Sequence, residues 1–173
     1  VLDVCAAPGG KSFAAAIQME NRGEVISCDI HPHKKTLIQK GAQRLGLDCI
    51  TAMTADGKVR RPEWEGTFDR VLVDAPCSGE GMFRRDPAAV AQWSPESPAA
   101  CAQRQRAILD SAALAVREGG VLVYSTCTID PAENQQQIAA FLVRHPEFTV
   151  VEPAVALPAG MTAGEYGALS VPT

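Results

Sequence analysis

A chain of 173 residues is long enough to bury the core of one domain. Its 46% apolar and 21% charged residues argue against disorder, and no apolar run reaches the ~18 residues of a membrane span. A net charge of −4 argues against strong stand-alone binding to nucleic acid, leaving only local basic spots at Lys34-Lys35, at Lys58 with Arg60-Arg61, and at Arg84-Arg85.

Val1 to Val4 reads as a buried strand, followed by the small-residue loop Cys5-Ala6-Ala7-Pro8-Gly9-Gly10-Lys11 and a helix with Phe13, Ala16 and Ile17 inward. Glu24 to Cys28 is a second strand, ending at Asp29. A helix from Pro32 to Leu45 places Leu37, Ile38 and Leu45 inward. Ile50 to Ala55 is a third strand closed by Asp56-Gly57, and Phe68 to Val73 a fourth that runs into Asp74. After Pro87, Pro95 and Pro98 a helix covers Ala99 to Arg117, with Cys101, Gln105, Ile108, Ala112 and Val116 at helical spacing, and Gly119-Gly120 stop it. Val121 to Ser125 is a fifth strand. Asp130-Pro131-Ala132-Glu133 has the form of a capping box opening a helix to Val143, and Phe148 to Val151 is a sixth strand.

This alternation predicts an α/β fold, a doubly wound and mainly parallel sheet with helices on both faces. Ligands of such sheets sit at the carboxyl ends of the strands. Cys5 to Lys11, Asp29, Asp56, Asp74, Cys77 and Cys127 all follow a strand end directly.

Ala6, Ala7, Gly9 and Gly10 allow close approach of a ligand to the backbone, and the helix start after them suits a carboxylate. The frame is neither a dinucleotide fingerprint nor a Walker loop. Asp29 is placed to accept ribose hydroxyls and Asp56 an adenine amine. S-adenosylmethionine fits this set: a nucleoside with a carboxylate tail and no phosphates. A dinucleotide-dependent oxidoreductase would also use the first loop and Asp29, but leaves the strand-end thiols unexplained.

The six cysteines are widely spaced, with no Cys-x-x-Cys pair, so neither a metal site nor a disulfide framework is expected and a reducing, cytoplasmic compartment fits. Cys28, Cys49 and Cys101 read as packing residues, and Cys5 as a contributor of backbone. Cys127 stands before the Asp130 helix start, where the dipole favours a thiolate. Cys77 sits between Pro76 and the loop Ser78-Gly79-Glu80-Gly81. Either sulfur is a candidate nucleophile.

The phrases Cys5 to Lys11, Asp74-Ala75-Pro76-Cys77-Ser78-Gly79 and Tyr124-Ser125-Thr126-Cys127-Thr128 resemble those of the Sun family of RNA (cytosine-5) methyltransferases, in order and over Val1 to Glu152. Its bacterial members RsmB and RsmF modify small-subunit ribosomal RNA, and its NSUN members tRNA and rRNA. The run Gly79 to Arg85 is most similar to the RsmF branch. The resemblance implies a Rossmann-like methyltransferase in which Cys5, Ala6, Ala7, Pro8, Gly9, Gly10, Lys11, Asp29, Asp56 and Asp74 line the S-adenosylmethionine site. It further implies that Cys127 is the nucleophile, adding to carbon 6 of cytosine, and that Cys77 assists breakdown of the adduct. DNA cytosine methyltransferases instead attack with the Pro-Cys thiol.

Asp74 is also placed to accept the exocyclic amine of cytosine. The target base must be unstacked, which favours single-stranded or flipped-out nucleotides. Ribosomal RNA is the favoured partner and tRNA the alternative, and a non-catalytic RNA-binding scaffold is a further reading. No metal and no membrane partner is expected, and the chain is expected to be a monomer. Residues 1–152 read as the catalytic domain and 153–173 as an Ala/Gly/Pro-rich tail or linker. A chain that opens inside a strand is expected to be N-terminally truncated.

Overall fold

The computed structural model describes residues 1–84, 86–151 and 161–170. They fall into two compact units, Val1–Ala75 with Ala107–Ser125, and Pro76–Arg106 with Thr126–Thr173.

The first unit is built on a five-stranded sheet, β1 (Leu2–Asp3), β2 (Val25–Asp29), β3 (Ile50–Thr54), β4 (Phe68–Asp74) and β5 (Val116–Ser125), all parallel in the order β3-β2-β1-β4-β5. Leu2 lies opposite both Ile26 and Val71, Asp29 opposite Thr54, and Asp74 opposite Ser125. Their near-continuous apolar runs suit strands covered on both sides, and Val25, Val71 and Val73 are fully buried. Neighbouring β1 residues point to opposite faces. Asp3 meets Ser12 of helix α1 (Gly10–Gln18), while Leu2 shares a small cavity with Ser111 and Ala112 from the end of helix α4 (Ser97–Ala115). Helices therefore flank the sheet on both faces, as the alternation predicts.

The chain runs outward from β1 through β2 to β3 and resumes at β4 on the other side of β1. That reversal opens a crevice beyond the carboxyl ends of β1 and β4. Ala16, Val25, Ala42 and Leu47 form a buried cluster under α1 and helix α2 (Pro32–Leu45), with Phe13 against it. Ile38 is fully buried, whereas Ile17, Leu37 and Leu45 are exposed, contrary to expectation. Each helix packs through one face only, and Ala16, Ile38 and Ala42 already occupy it.

The second unit contains helix α3 (Pro87–Gln92), the start of α4, a short 3₁₀ turn Pro131–Glu133 and helix α5 (Gln135–Arg144). The Gln137 amide donates to the Ala102 carbonyl at 2.7 Å, joining α5 to α4. Phe148–Val151 forms no strand. The chain turns back at His145, whose ring stacks on Phe141 at 4.6 Å while Phe148 meets Phe141 edge-on at 5.3 Å. The expected capping box is not made either: Asp130 caps through the Ala132 N–H, but Glu133 turns into the interior. Within the span read as a tail, strands β6 (Met161–Gly164) and β7 (Gly167–Ser170) pair antiparallel. Residues 153–160 and 171–173 of that span, together with Arg85 and Glu152, lie outside the described residues.

Candidate active site

In the first unit a cavity of about 200 Å³ lies past the ends of β1 and β4, lined by Asp3, Cys5, Ala6, Ala7, Pro8, Gly10, Lys11 and Asp74. The loop is pinned by the Ala6 N–H donating to the Cys28 carbonyl at 2.8 Å. Gly9 turns it at φ 115°, where a Cβ would lie 2.3 Å from the Phe13 ring, so only glycine serves. At Gly10 a Cβ would meet nothing within 4 Å, so the space above it is open.

Asp3 is fully buried. One oxygen accepts the Ser12 hydroxyl at 2.7 Å, and the other has no partner. Burial pushes its carboxyl up to about 6, against the opposing Ser12 hydrogen bond. The first turn of α1 carries no side-chain cap and no acidic residue, leaving its amides and dipole available to an anion. An unsatisfied buried acceptor beside an uncapped helix start suits a zwitterion, ammonium to Asp3 and carboxylate to the amides.

Asp74 is engaged through both oxygens, by Lys11 Nζ at 2.7 Å and by the Ser125 hydroxyl at 2.7 Å. Asp29 is buried at the end of β2, where one oxygen accepts the His31 N–H at 2.9 Å and the other lies 3.7 Å from Lys34 Nζ. Asp56 accepts the Lys58 N–H at 3.0 Å. These two acids stand at the expected strand ends but do not line the cavity, and Asp56 instead borders the smaller one beside Leu2. Cys5 lines the cavity with its thiol pushed up to about 12 by burial, consistent with a backbone role. Cys28 is raised likewise and for the same reason.

In the second unit Cys77 and Cys127 come together, Sγ to Sγ at 3.1 Å, and the Cys127 N–H donates to Cys77 Sγ at 3.3 Å. Cys127 is exposed and Cys77 half-buried. The hydrogen bond with the Cys127 sulfhydryl, then burial, pushes the Cys77 thiol well above the ordinary range. Cys77 is thus the more shielded of the two sulfurs and Cys127 the one that meets solvent. The Gly81 N–H donates to the Cys127 carbonyl at 2.9 Å, and a Cβ at Gly81 would lie 2.6 Å from that oxygen.

The thiol loops depend on two further residues, Glu133 and Gln105, to which no site role is assigned from the sequence. Glu133 is fully buried and accepts the Ser78 N–H at 3.1 Å and the Gln105 amide at 2.6 Å. Its form as a capping residue hid this role. Gln105 stood on the packing face of its helix, which signalled burial but not its partners. Among the described residues no helix is long and apolar enough to cross a membrane, and no group of three or more His, Cys, Asp or Glu is placed to hold a metal.

The model of the family described as 16S rRNA methyltransferase RsmB/F matches residues 1–172. The chain is 50% identical over 149 residues to the probable ribosomal RNA small subunit methyltransferase B of Bacillus subtilis, covering 86% of this chain and 33% of that protein. It is 40% identical over 153 residues to the ribosomal RNA small subunit methyltransferase F of Serratia proteamaculans, covering 88% and 32% respectively. The structure of NSun6 from Pyrococcus horikoshii with SFG superposes with a TM-score of 0.78 at 30% identity, covering 91% of this chain and 40% of that one. The chain therefore spans about a third of the length of these curated relatives.

Proposed function

The chain belongs to the 16S rRNA methyltransferase RsmB/F family, and from that premise we propose that it is the catalytic part of an S-adenosylmethionine-dependent RNA cytosine-5 methyltransferase. Small-subunit ribosomal RNA is the favoured substrate, because the curated relatives are named for it. The single observation that carries the reading is the pair of sulfurs 3.1 Å apart, one exposed and one half-buried.

S-adenosylmethionine supplies an electrophilic methyl group on a sulfonium. The unpartnered Asp3 oxygen would take its ammonium, and the uncapped α1 turn its carboxylate. The open space over Gly10 leaves room for the tail. Asp29 and Asp56, at the ends of β2 and β3, would serve the ribose and adenine, reached from the cavity along the same sheet edge.

Carbon 5 of cytosine is a weak nucleophile. The Cys127 thiolate would form a bond to carbon 6, and the displaced ring electrons would make carbon 5 able to take the methyl group. Carbon 5 then carries both a proton and the new methyl. A water molecule acting as base takes that proton, the electrons of the broken C–H bond restore the ring double bond, and the bond from carbon 6 to sulfur breaks so that Cys127 leaves as thiolate. Cys77, hydrogen-bonded to Cys127, would assist this second half. Asp74 would accept the exocyclic amine of cytosine, where uracil offers only a carbonyl.

Methyl transfer from labelled cofactor to small-subunit ribosomal RNA tests the reading. Label at carbon 5 of cytosine is expected. Binding of RNA without any transfer would favour the scaffold reading instead, and transfer confined to tRNA would redirect the substrate.

A further inference from the structure

Glu133 and Asn134 are neighbours in the chain, yet each grips a different thiol loop, Asn134 on both sides of the sulfur and Glu133 on one side directly and on the other through Gln105. Around Cys77, Glu133 accepts the N–H of Ser78, the residue after it, at 3.1 Å. The same carboxylate accepts the Gln105 amide at 2.6 Å, and that amide donates also to the carbonyl of Pro76, the residue before, at 3.1 Å. Two acceptors face the nitrogen, which fixes the orientation of the Gln105 amide. Around Cys127, the Asn134 carbonyl accepts the hydroxyl of Thr126 at 2.7 Å. Its amide nitrogen donates to the carbonyl of Thr128 at 3.1 Å and to that of Asp130 at 2.8 Å. Ser78 donates its hydroxyl to that of Thr128 at 3.0 Å, closing the frame.

A fully buried carboxylate is costly unless its lone pairs are used, and here both Glu133 oxygens face the Ser78 N–H while one also accepts the Gln105 amide. The two hydrogen-bonding grips come from adjacent residues, the last of the turn Pro131–Glu133 and Asn134 that caps it, so neither loop shifts without straining the other. We infer that Glu133, with Gln105, and Asn134 are the positioning residues of the dithiol: Glu133 sets Cys77, and Asn134 sets Cys127. This rests on the proposed roles of the two sulfurs for its catalytic consequence, but not for its geometric one.

Two readouts separate the two claims. The first is the rate at which diamide joins Cys77 to Cys127 in the full chain, followed by mass spectrometry without RNA. Glu133→Gln replaces one acceptor oxygen by an amide donor facing the Ser78 and Gln105 donors, and Asn134→Ala removes the Thr126 and Thr128 grips. Each is expected to slow the cross-link about tenfold or more, since displacements near 1 Å cost rates on that scale. The second readout is the covalent adduct with small-subunit ribosomal RNA in the presence of S-adenosylmethionine. Glu133→Gln should accumulate adduct as Cys77→Ser does, and Asn134→Ala should form little.

Cross-linking at the wild-type rate in both variants overturns the inference. Slowed cross-linking with no adduct in Cys77→Ser upholds the positioning role and rejects the proposed chemistry. Should Glu133→Gln fail to fold, Gln105→Met removes the hydrogen bonds to Pro76 and to Glu133 and leaves the Ser78 contact in place. It must slow the cross-link likewise, and a wild-type rate there counts against the inference equally.

Discussion

Lys11 Nζ stands 2.7 Å from Asp74 Oδ2, tying the first turn of α1 to the end of β4 across the cavity mouth. Both side chains are substantially exposed, so the pair contributes little to folding, about 1 kcal/mol or less. Its value lies in aiming a carboxylate whose second oxygen is held by Ser125. Asp74→Asn should therefore leave the melting temperature nearly unchanged while lowering kcat/KM about 10- to 100-fold, the scale of a lost base contact. Thermal melts beside methyl-transfer kinetics check this; a large loss of stability would make Asp74 structural instead.

Gly10 separates space for a ligand from space needed for folding. A methyl group there meets nothing in the protein but enters the cavity. Alanine also favours a helix over glycine by up to about 1 kcal/mol. Gly10→Ala is expected to melt no lower than wild type and to bind S-adenosylhomocysteine about tenfold or more weakly, by calorimetry. Unchanged affinity would place the cofactor elsewhere.

Asp3 gives the site a pH signature. Its carboxyl, raised to about 6 by burial, holds a proton in the folded chain that the unfolded chain releases near its ordinary value of about 4. Between these values the folded state binds more protons, so this group's contribution to stability is full below about pH 4 and is lost as pH rises through about 6. The loss is roughly 3 kcal/mol. Asp3→Asn mimics the neutral form. The variant should match wild type near pH 4 and exceed it near pH 7, in melts without ligand. A constant difference across that range would show that Asp3 does not titrate there.

Gly81 tests how tightly the Cys127 loop is packed. A Cβ would fall 2.6 Å from the Cys127 carbonyl oxygen, so Gly81→Ala must push that loop away. A destabilisation of about 1–3 kcal/mol is expected, with a marked drop in adduct formation. Denaturant melts and an adduct assay read the two effects separately.

Much of this was legible in the chain. Strands covered by helices carry short apolar stretches, so Val25–Asp29, Ile50–Thr54 and the Val71 to Val73 stretch of Phe68–Asp74 were recognisable together with the polar residues at their ends. Phe148–Val151 has the same composition, but Phe148 is taken by the Phe141 and His145 rings, a tertiary choice that no local pattern carries. Leu37 and Leu45 misled because a helix packing on one side leaves some large apolar residues outside. Glu133 was hidden for another reason. Its partners are 55 and 28 residues away, and a buried carboxylate leaves no periodic trace.

The most direct test of the dithiol chemistry is denaturing electrophoresis of the protein after incubation with small-subunit ribosomal RNA and S-adenosylmethionine. Cys77→Ser should carry a covalently attached RNA that survives denaturation, and Cys127→Ser should carry none. An adduct formed by Cys127→Ser, or its absence from Cys77→Ser while that variant still turns over, would contradict attack by Cys127 and release by Cys77.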